Sequence, residues 1–464
     1  MVRGWSPEWR DSVLYGLSAA FAAATALAAG IPLYRQWGLM AVGPYAAAAI
    51  FMGVVAWRAG IGRGTHGAPG GVDAGRRAVG GVLTGDRRWQ AARIGACVVV
   101  LVGSTVVPLA MEVVWRSEGD AAAHVQPEVI VVERAGALAA HGKDPYRVID
   151  RNGRILIHQT KEPVYELYYP YLPGMVLFGF SSGSKVEARL TDARIQFLVF
   201  TALIALIALS RLRSATDARF RALQVLTVLP TAALPLATGG DDMPVVALML
   251  LGLVALQRRR PLLAGLALGA ASSLKFTAWP LAILALWAVS DLRTRRAIGR
   301  YLLGVVLVVG PVVVPFALRN PSAFIDNVIR FPLGLGGVAS PAASALPGHL
   351  FVSAFPGAHR AYVLIVGAVG IAVLIRRLIV RPPIDAAGVA RLAGWVMLVA
   401  IVLAPATRVG YLLYAVNLFV WAWMLGRADV PAVPDGVADV GPGEATVELS
   451  PGGGPSRQSL SGTS

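Results

Sequence analysis

The sequence predicts an all-α, polytopic membrane protein of about twelve transmembrane helices, and three observations predict it. Hydrophobic residues make up 56% of the 464 positions and charged residues only 15%, with a mean hydropathy of +0.63. Soluble domains run nearer to about 45–50% apolar and about 25% charged. Apolar runs of about 17–25 residues recur along the chain, the length that crosses roughly 30 Å of hydrocarbon. Arginines stand in short clusters between those runs, which is how a positive-inside topology is written. That placement accounts for the net charge of +16, and no basic face interleaved with aromatics points to nucleic acid. The single cysteine, Cys97, lies in an apolar run and excludes an intrachain disulfide.

The first span covers about 13–31 and the second about 38–57. One apolar run leads straight to another, so no cleavable signal peptide is expected. A Gly- and Arg-rich loop follows, with Arg58, Arg63, Arg76, Arg77, Arg87, Arg88 and Arg93. It is the strongest cytoplasmic marker and closes an N-terminal unit, 1–93. A membrane domain, 94–427, begins with a span over about 94–115 that leaves the cytoplasm. Residues 116–191 are the longest polar stretch between spans and are expected outside, forming a juxtamembrane helical loop. Within it, 170–181 is apolar but about a dozen residues long, which suits an interfacial or re-entrant helix better than a span. Further spans follow at about 193–210, 222–238 and 243–257. The stretch 261–290 is broken near Lys275 and reads as two short spans. The last four lie at about 301–318, 361–375, 390–405 and 410–425. With this count every basic cluster between short loops falls on the cytoplasmic side, and both termini are cytoplasmic. The tail, 428–464, is rich in Pro, Gly and Ser and is expected to be disordered.

The remaining polar residues gather near the outer ends of the spans: Glu128, Glu133, Tyr168, Tyr169, Tyr171, Arg194, Asp241, Asp242, Lys275, Arg330, His349, Arg408 and Tyr411. Ionisable groups beside a membrane are costly and often functional. Glu128 follows Pro127, a helix-start signal, and an acid in the first turn suits the helix dipole. It reads either as a cap or as a site acid. Glu133 reads as a solvated charge or one beside Arg134. The four cations read either as anion ligands or as snorkelling side chains. Asp241-Asp242 reads as a cap for the next span, as a hydrogen-bonding group for sugar hydroxyls, or as half of a divalent-cation site. Two acids alone do not make a metal site, so no cofactor is expected. Tyr168, Tyr169 and Tyr171 read as a sugar-stacking wall or as aromatic belt, and His349 as a surface histidine or a phosphate or sugar contact. No Walker loop, dinucleotide fingerprint or zinc cluster is present.

One resemblance covers about 94–425. The order of an acid, an aliphatic helix and the turn Gly142-x-x-Pro145-Tyr146 is similar to the first outer loop of GT-C superfamily glycosyltransferases. It looks most like glycosyltransferase family 87, which includes polyprenyl-phosphate-mannose-dependent mannosyltransferases. In that family an acid, usually Asp, stands fourteen residues before the glycine of the turn; here that position is Glu128. Tyr169-Pro170-Tyr171-Leu172-Pro173, Asp192-Ala193-Arg194 and Leu274-Lys275-Phe276 resemble later family landmarks. The acid is Glu instead of Asp, and two spans precede the usual first one.

The resemblance implies inverting transfer of a sugar, mannose being expected, from a polyprenyl-phosphate donor to a lipid or glycan acceptor at the outer face of a bacterial cytoplasmic membrane. It makes Glu128 the general base. Lys275, Arg408, Arg194 and Arg330 become candidates for the donor phosphate. Asp241, Asp242, Tyr169, Tyr171, His349 and Tyr411 become candidates for sugar or acceptor. The alternatives are a transporter or flippase of a lipid-linked anionic substrate, which would carry midplane polar residues on paired half-helices, and a degenerate assembly partner.

Overall fold

The computed structural model describes residues 5–64, 88–119, 123–146, 163–183, 189–212, 216–290, 295–336, 338 and 340–426. Residues 65–87 of the predicted Gly/Arg-rich loop and the tail from 428 lie outside these residues, whereas Arg58, Arg63, Arg88 and Arg93, predicted in that loop, stand in helices. The described chain is helical, with a single β-bridge between Ala343 and Thr407 among the described residues.

Helices α1 (Pro7–Ala28) and α2 (Pro32–Gly64) form an antiparallel hairpin. Ser6 caps α1, accepting from Trp9 N at 3.3 Å, with Pro7 in the first turn. The helix therefore starts earlier than its apolar run. Its polar first turn stays in place because Asp11 is fully buried among partners. Asp11 Oδ2 accepts from Arg93 Nε at 2.5 Å, Oδ1 accepts from Arg221 Nη1 and, at 3.0 Å, from Gln224 Nε2. Arg93 also reaches Asp217 at 2.7 Å and lies over the Phe220 ring. These partners come from α3 (Arg88–Glu118) and α6 (Thr216–Thr227). Along the hairpin, Trp37 Nε1 donates to Ser104 O at 2.8 Å, where α3 widens into a π turn at Val102–Val106. Tyr45 donates to Val228 O, at the junction of α6 and α7 (Pro230–Thr238). Tyr15, Trp37, Tyr45 and Met52 are fully buried in the apolar core that α1, α2, α3 and α7 share.

After α3 the chain turns into α4 (Pro127–Ala140). It ends at Gly142, whose φ of +68° permits the reversal; Lys143 N returns to Leu138 O at 2.9 Å. A short 3-10 turn (Val164–Leu167) and a longer one (Pro173–Gly183) follow. The second is the predicted interfacial segment, and it packs backbone to backbone on α4. A Cβ on Gly136 would lie 2.1 Å from Gly179 C, so only two glycines allow this contact.

The remaining helices are α5 (Ala193–Arg211), α8 (Met243–Gln257), α9 (Pro261–Leu274), α10 (Trp279–Ser290), α11 (Arg295–Arg319), α12 (Pro321–Ile325), α13 (Pro347–Ala354), α14 (His359–Val380), α15 (Ala386–Leu403) and α16 (Leu412–Leu425). Among the described residues, twelve apolar segments thus stand where twelve spans were predicted. Eight are long enough to cross a membrane unaided, and four, at 243–257, 261–274, 276–289 and 409–425, are shorter. Most apolar side chains of α14 are exposed, Leu364 at 73%, which is the surface a lipid bilayer covers. All four short segments have an end at one cluster of charged residues: α8 begins after Asp242, α9 ends before Lys275, α10 begins just beyond it, and α16 begins beyond Arg408. A helix that must deliver a charge to this place stops before its apolar length is complete.

Candidate active site

The connections at that end of the bundle are tied to one another. Leu172 N donates to Leu274 O at 3.0 Å, and Gln126 N to Thr238 O at 3.2 Å. Asn327 accepts from Tyr169 N at 2.7 Å and donates to Tyr146 O at 3.3 Å; Tyr146 donates in turn to Tyr171 O at 2.8 Å. The Gly-x-x-Pro-Tyr turn and the Tyr-Pro-x-Leu-Pro stretch are therefore one buried scaffold. Between these connections lies a cavity of about 470 Å³. Its polar wall carries Glu128, Tyr171, Asp242, Lys275, Arg408 and Tyr411, and its apolar wall comes partly from α15 through Met397, Ala400 and Ile401.

Glu128 stands in the first turn of α4, after Pro127 and the N-cap Gln126. The positive end of the helix favours a carboxylate there. Arg408 Nη1 donates to its Oε1, and the pair is partly buried. Oε2 is buried without a hydrogen-bond partner among the described residues. Arg408 is presented by extended backbone beside the Ala343–Thr407 bridge, where Thr407 N donates to Ala342 O at 2.8 Å and Ser344 N to Thr407 O at 2.9 Å. Burial tends to lower the Arg408 pKa, but Glu128 beside it holds it above its ordinary value.

Lys275 sits in extended backbone between α9 and the 3-10 turn Phe276–Ala278. Its Nζ donates to Asp242 Oδ1 at 2.5 Å and lies 2.9 Å from Asp241 Oδ2, in ion-pair contact without hydrogen-bond alignment. It also stands 4.9 Å from the centre of the Tyr171 ring. Asp242 precedes α8 but makes no capping bond; its Oδ1 accepts from Lys275 and, at 2.6 Å, from Tyr414. The cap reading of this acid is thereby replaced by an ion cluster. Burial pushes the Asp241 carboxyl up to about 6, against the pull of Lys275 and with Asp242 and Glu128 adding to the rise. Burial works against the Lys275 charge, and the two aspartates outweigh it, holding its pKa above the ordinary lysine value. Among the described residues no group of three or more potential metal ligands forms.

The other predicted residues lie elsewhere. Arg194 is fully buried away from the cavity, bound to both oxygens of Asp192 (2.9 and 2.8 Å) and to His124 O at 2.8 Å. Its guanidinium ties the start of α5 to the chain before α4. Arg330 points to solvent and pairs with Asp326, one turn earlier, at 2.6 Å. His349 holds Pro405 O at 3.0 Å through Nδ1 and does not line the cavity. Tyr169 is buried against Tyr146 and Tyr171 with rings 5.3 and 5.4 Å apart; it is scaffold, whereas Tyr171 and Tyr168 reach the cavity wall. Glu133 is paired with Arg116 at 2.7 Å and accepts from Ala193 N at 3.0 Å. Glu166, which lines the cavity, Tyr414, which donates to Asp242, and Gln126 were missed. Tyr414 had a signal, a lone hydroxyl in an otherwise apolar helix start; Gln126 had only its place before Pro127-Glu128.

Residues 188–405 match the model of glycosyltransferase family 87. The match includes Asp241, Asp242 and Lys275 and stops short of Arg408, with Glu128 before its start. Comparison with curated proteins and with solved structures finds no match. The match supports a likeness to glycosyltransferase family 87, a GT-C-like family of membrane glycosyltransferases, over residues 188–405.

Proposed function

We propose that this glycosyltransferase moves mannose from a polyprenyl-phosphate donor to a lipid or glycan acceptor at the outer face of the cytoplasmic membrane, with inversion. One observation carries the reading: the two oxygens of Glu128 are unequal. Oε1 is held by Arg408, and Oε2 is buried without a hydrogen-bond partner among the described residues, in a side chain that lines the cavity. A general base needs a fixed carboxylate with a lone pair left for the incoming hydroxyl. In the proposed reaction the acceptor oxygen attacks the anomeric carbon, its proton passes to Oε2, and the carbon–oxygen bond to phosphate breaks with the electron pair leaving on phosphate.

The leaving group is already an anion, so it needs charge stabilisation more than a proton. Arg408 is the first candidate. A guanidinium has five N–H donors, and the bond to Glu128 uses one. Lys275 is the second, its charge shared with Asp241 and Asp242. Lys275 supplies the positive charge between those acids, and the reaction as proposed uses no metal there. Asp242, Tyr171 and Tyr411 are placed in this reading against sugar hydroxyls. The outward orientation is supported by the arginines at the other end of the bundle, where Arg258 donates to Arg211 O.

The test is transfer from radiolabelled polyprenyl-phosphate mannose to acceptor lipid extracts by purified protein, wild type against Glu128→Gln. Label should enter the lipid product only with the wild type. Full transfer by Glu128→Gln removes Glu128 from the base role, and a wild-type protein inert to this donor removes the donor.

A further inference from the structure

The hairpin α1–α2 precedes the part of the chain that resembles the family. We propose that it contributes a positioning residue to the active site: Tyr34 fixes Gln126 and, through it, the first turn of α4 that carries Glu128. The proposal rests on Glu128 acting at the cavity as set out above.

Gln126 is the N-cap of α4. A polar side chain there ordinarily accepts from the first-turn amides, but Gln126 makes no such bond. Its side-chain nitrogen donates instead to Tyr34 Oη at 2.8 Å and Thr238 Oγ1 at 2.9 Å, which uses both amide protons. Gly239 closes a third side: a Cβ there would fall 2.2 Å from Gln126 Oε1. From Gly239 the chain runs through Gly240 directly into Asp241 and Asp242. One amide, two residues before Glu128, therefore joins α2, the end of α7 and the carboxylate turn.

Tyr34 is a firm anchor. It stands in the first turn of α2, its N–H on Ile31 O at 3.1 Å. The hairpin behind it is locked by the Asp11 cluster at its far end and by Trp37 and Tyr45 along its length. Tyr34 does not line the cavity and acts only through Gln126. Without the hydroxyl, one Gln126 amide proton is left buried and unpaired, a state the side chain escapes by turning and loosening the start of α4.

The test uses the full chain with Tyr34→Phe and Gln126→Ala, singly and together, and two readouts. In transfer from radiolabelled polyprenyl-phosphate mannose, each single change should lower kcat about tenfold with donor KM held within about twofold, and the double change should be no worse than the worse single one. In hydrogen–deuterium exchange, which needs no substrate, Tyr34→Phe should speed exchange at residues 128–133 and leave α9 and α11 unchanged. A wild-type kcat for Tyr34→Phe, losses that multiply in the double variant, or unchanged exchange at 128–133 each overturn the proposal. If the wild type does not use this donor, the proposed function fails, and the exchange result alone decides the role of Tyr34.

Discussion

Asp11, fully buried, and Glu128, partly buried, are both carboxylates paired with arginine, near opposite ends of the hairpin and α3, and they differ in what is left over. Both oxygens of Asp11 are taken, by Arg93, Arg221 and Gln224. One oxygen of Glu128 is taken and the other has no partner among the described residues, and the side chain lines a cavity. A saturated ion cluster holds helices together, while an unsaturated one beside open space is held ready for something else. The difference separates stability from chemistry within one molecule, and single substitutions can test the separation.

Glu128→Gln should give the largest effect: transfer down about 10³-fold, within the range for loss of a general base, with a Tm close to wild type because the amide keeps the side-chain shape. A large fall in Tm instead would make Glu128 another Asp11. Asp11→Ala should do the reverse. Removing one partner of a buried pair costs about 3–5 kcal/mol, so thermal denaturation in detergent should show a clear loss, while transfer by the folded fraction falls far less than with Glu128→Gln. Arg408→Lys should fall between them: a point charge replaces the two-hydrogen-bond fork, and transfer should drop about 10–100-fold with donor KM raised. Equal rates would leave Arg408 a partner of Glu128 alone.

The smallest effect concerns pH. Asp241 has a folded-state pKa raised to about 6. Its contribution to stability is therefore fully present below the ordinary carboxylate range and lost as pH rises through about 6. Melting curves from pH 4 to 7 should show Tm declining across that window, and Asp241→Asn should flatten that decline by about 2–4 °C. An unchanged slope would mean that Asp241 stays ionised throughout.

Much of this was legible in the sequence, for physical reasons that differ by residue. Spans are read from apolar length, and the break at Lys275 was visible because a lysine and a polar step interrupt a run of 30 residues. Glu128 was legible through Pro127 and the helix-start logic. Arg194 and Arg330 stand apart from the cavity, which the sequence did not show because a charge near a span end says nothing of its partner. Asp192 satisfies Arg194 from two residues away, and Asp326 satisfies Arg330 at the helical i,i+4 spacing, which the sequence did display. His349 also stands apart from the cavity, for a related reason: its partner is a main-chain carbonyl 56 residues on. Tyr34 was illegible because its role depends on a contact 92 residues away, and no local pattern encodes it.

The Glu128–Arg408 bond spans 280 residues, and that span has a bearing on how the protein is made. Synthesis runs from the N-terminus, so α4 and its acid are in place long before the chain reaches Arg408. Until the last helices insert, the carboxylate has no counter-charge from this partner. On the proposed reading the enzyme is assembled inactive and gains its chemistry in the final step of its own biogenesis. A chain ended after residue 403 should still insert its earlier helices yet transfer no sugar; measurable transfer by such a chain would show that the last segment is dispensable.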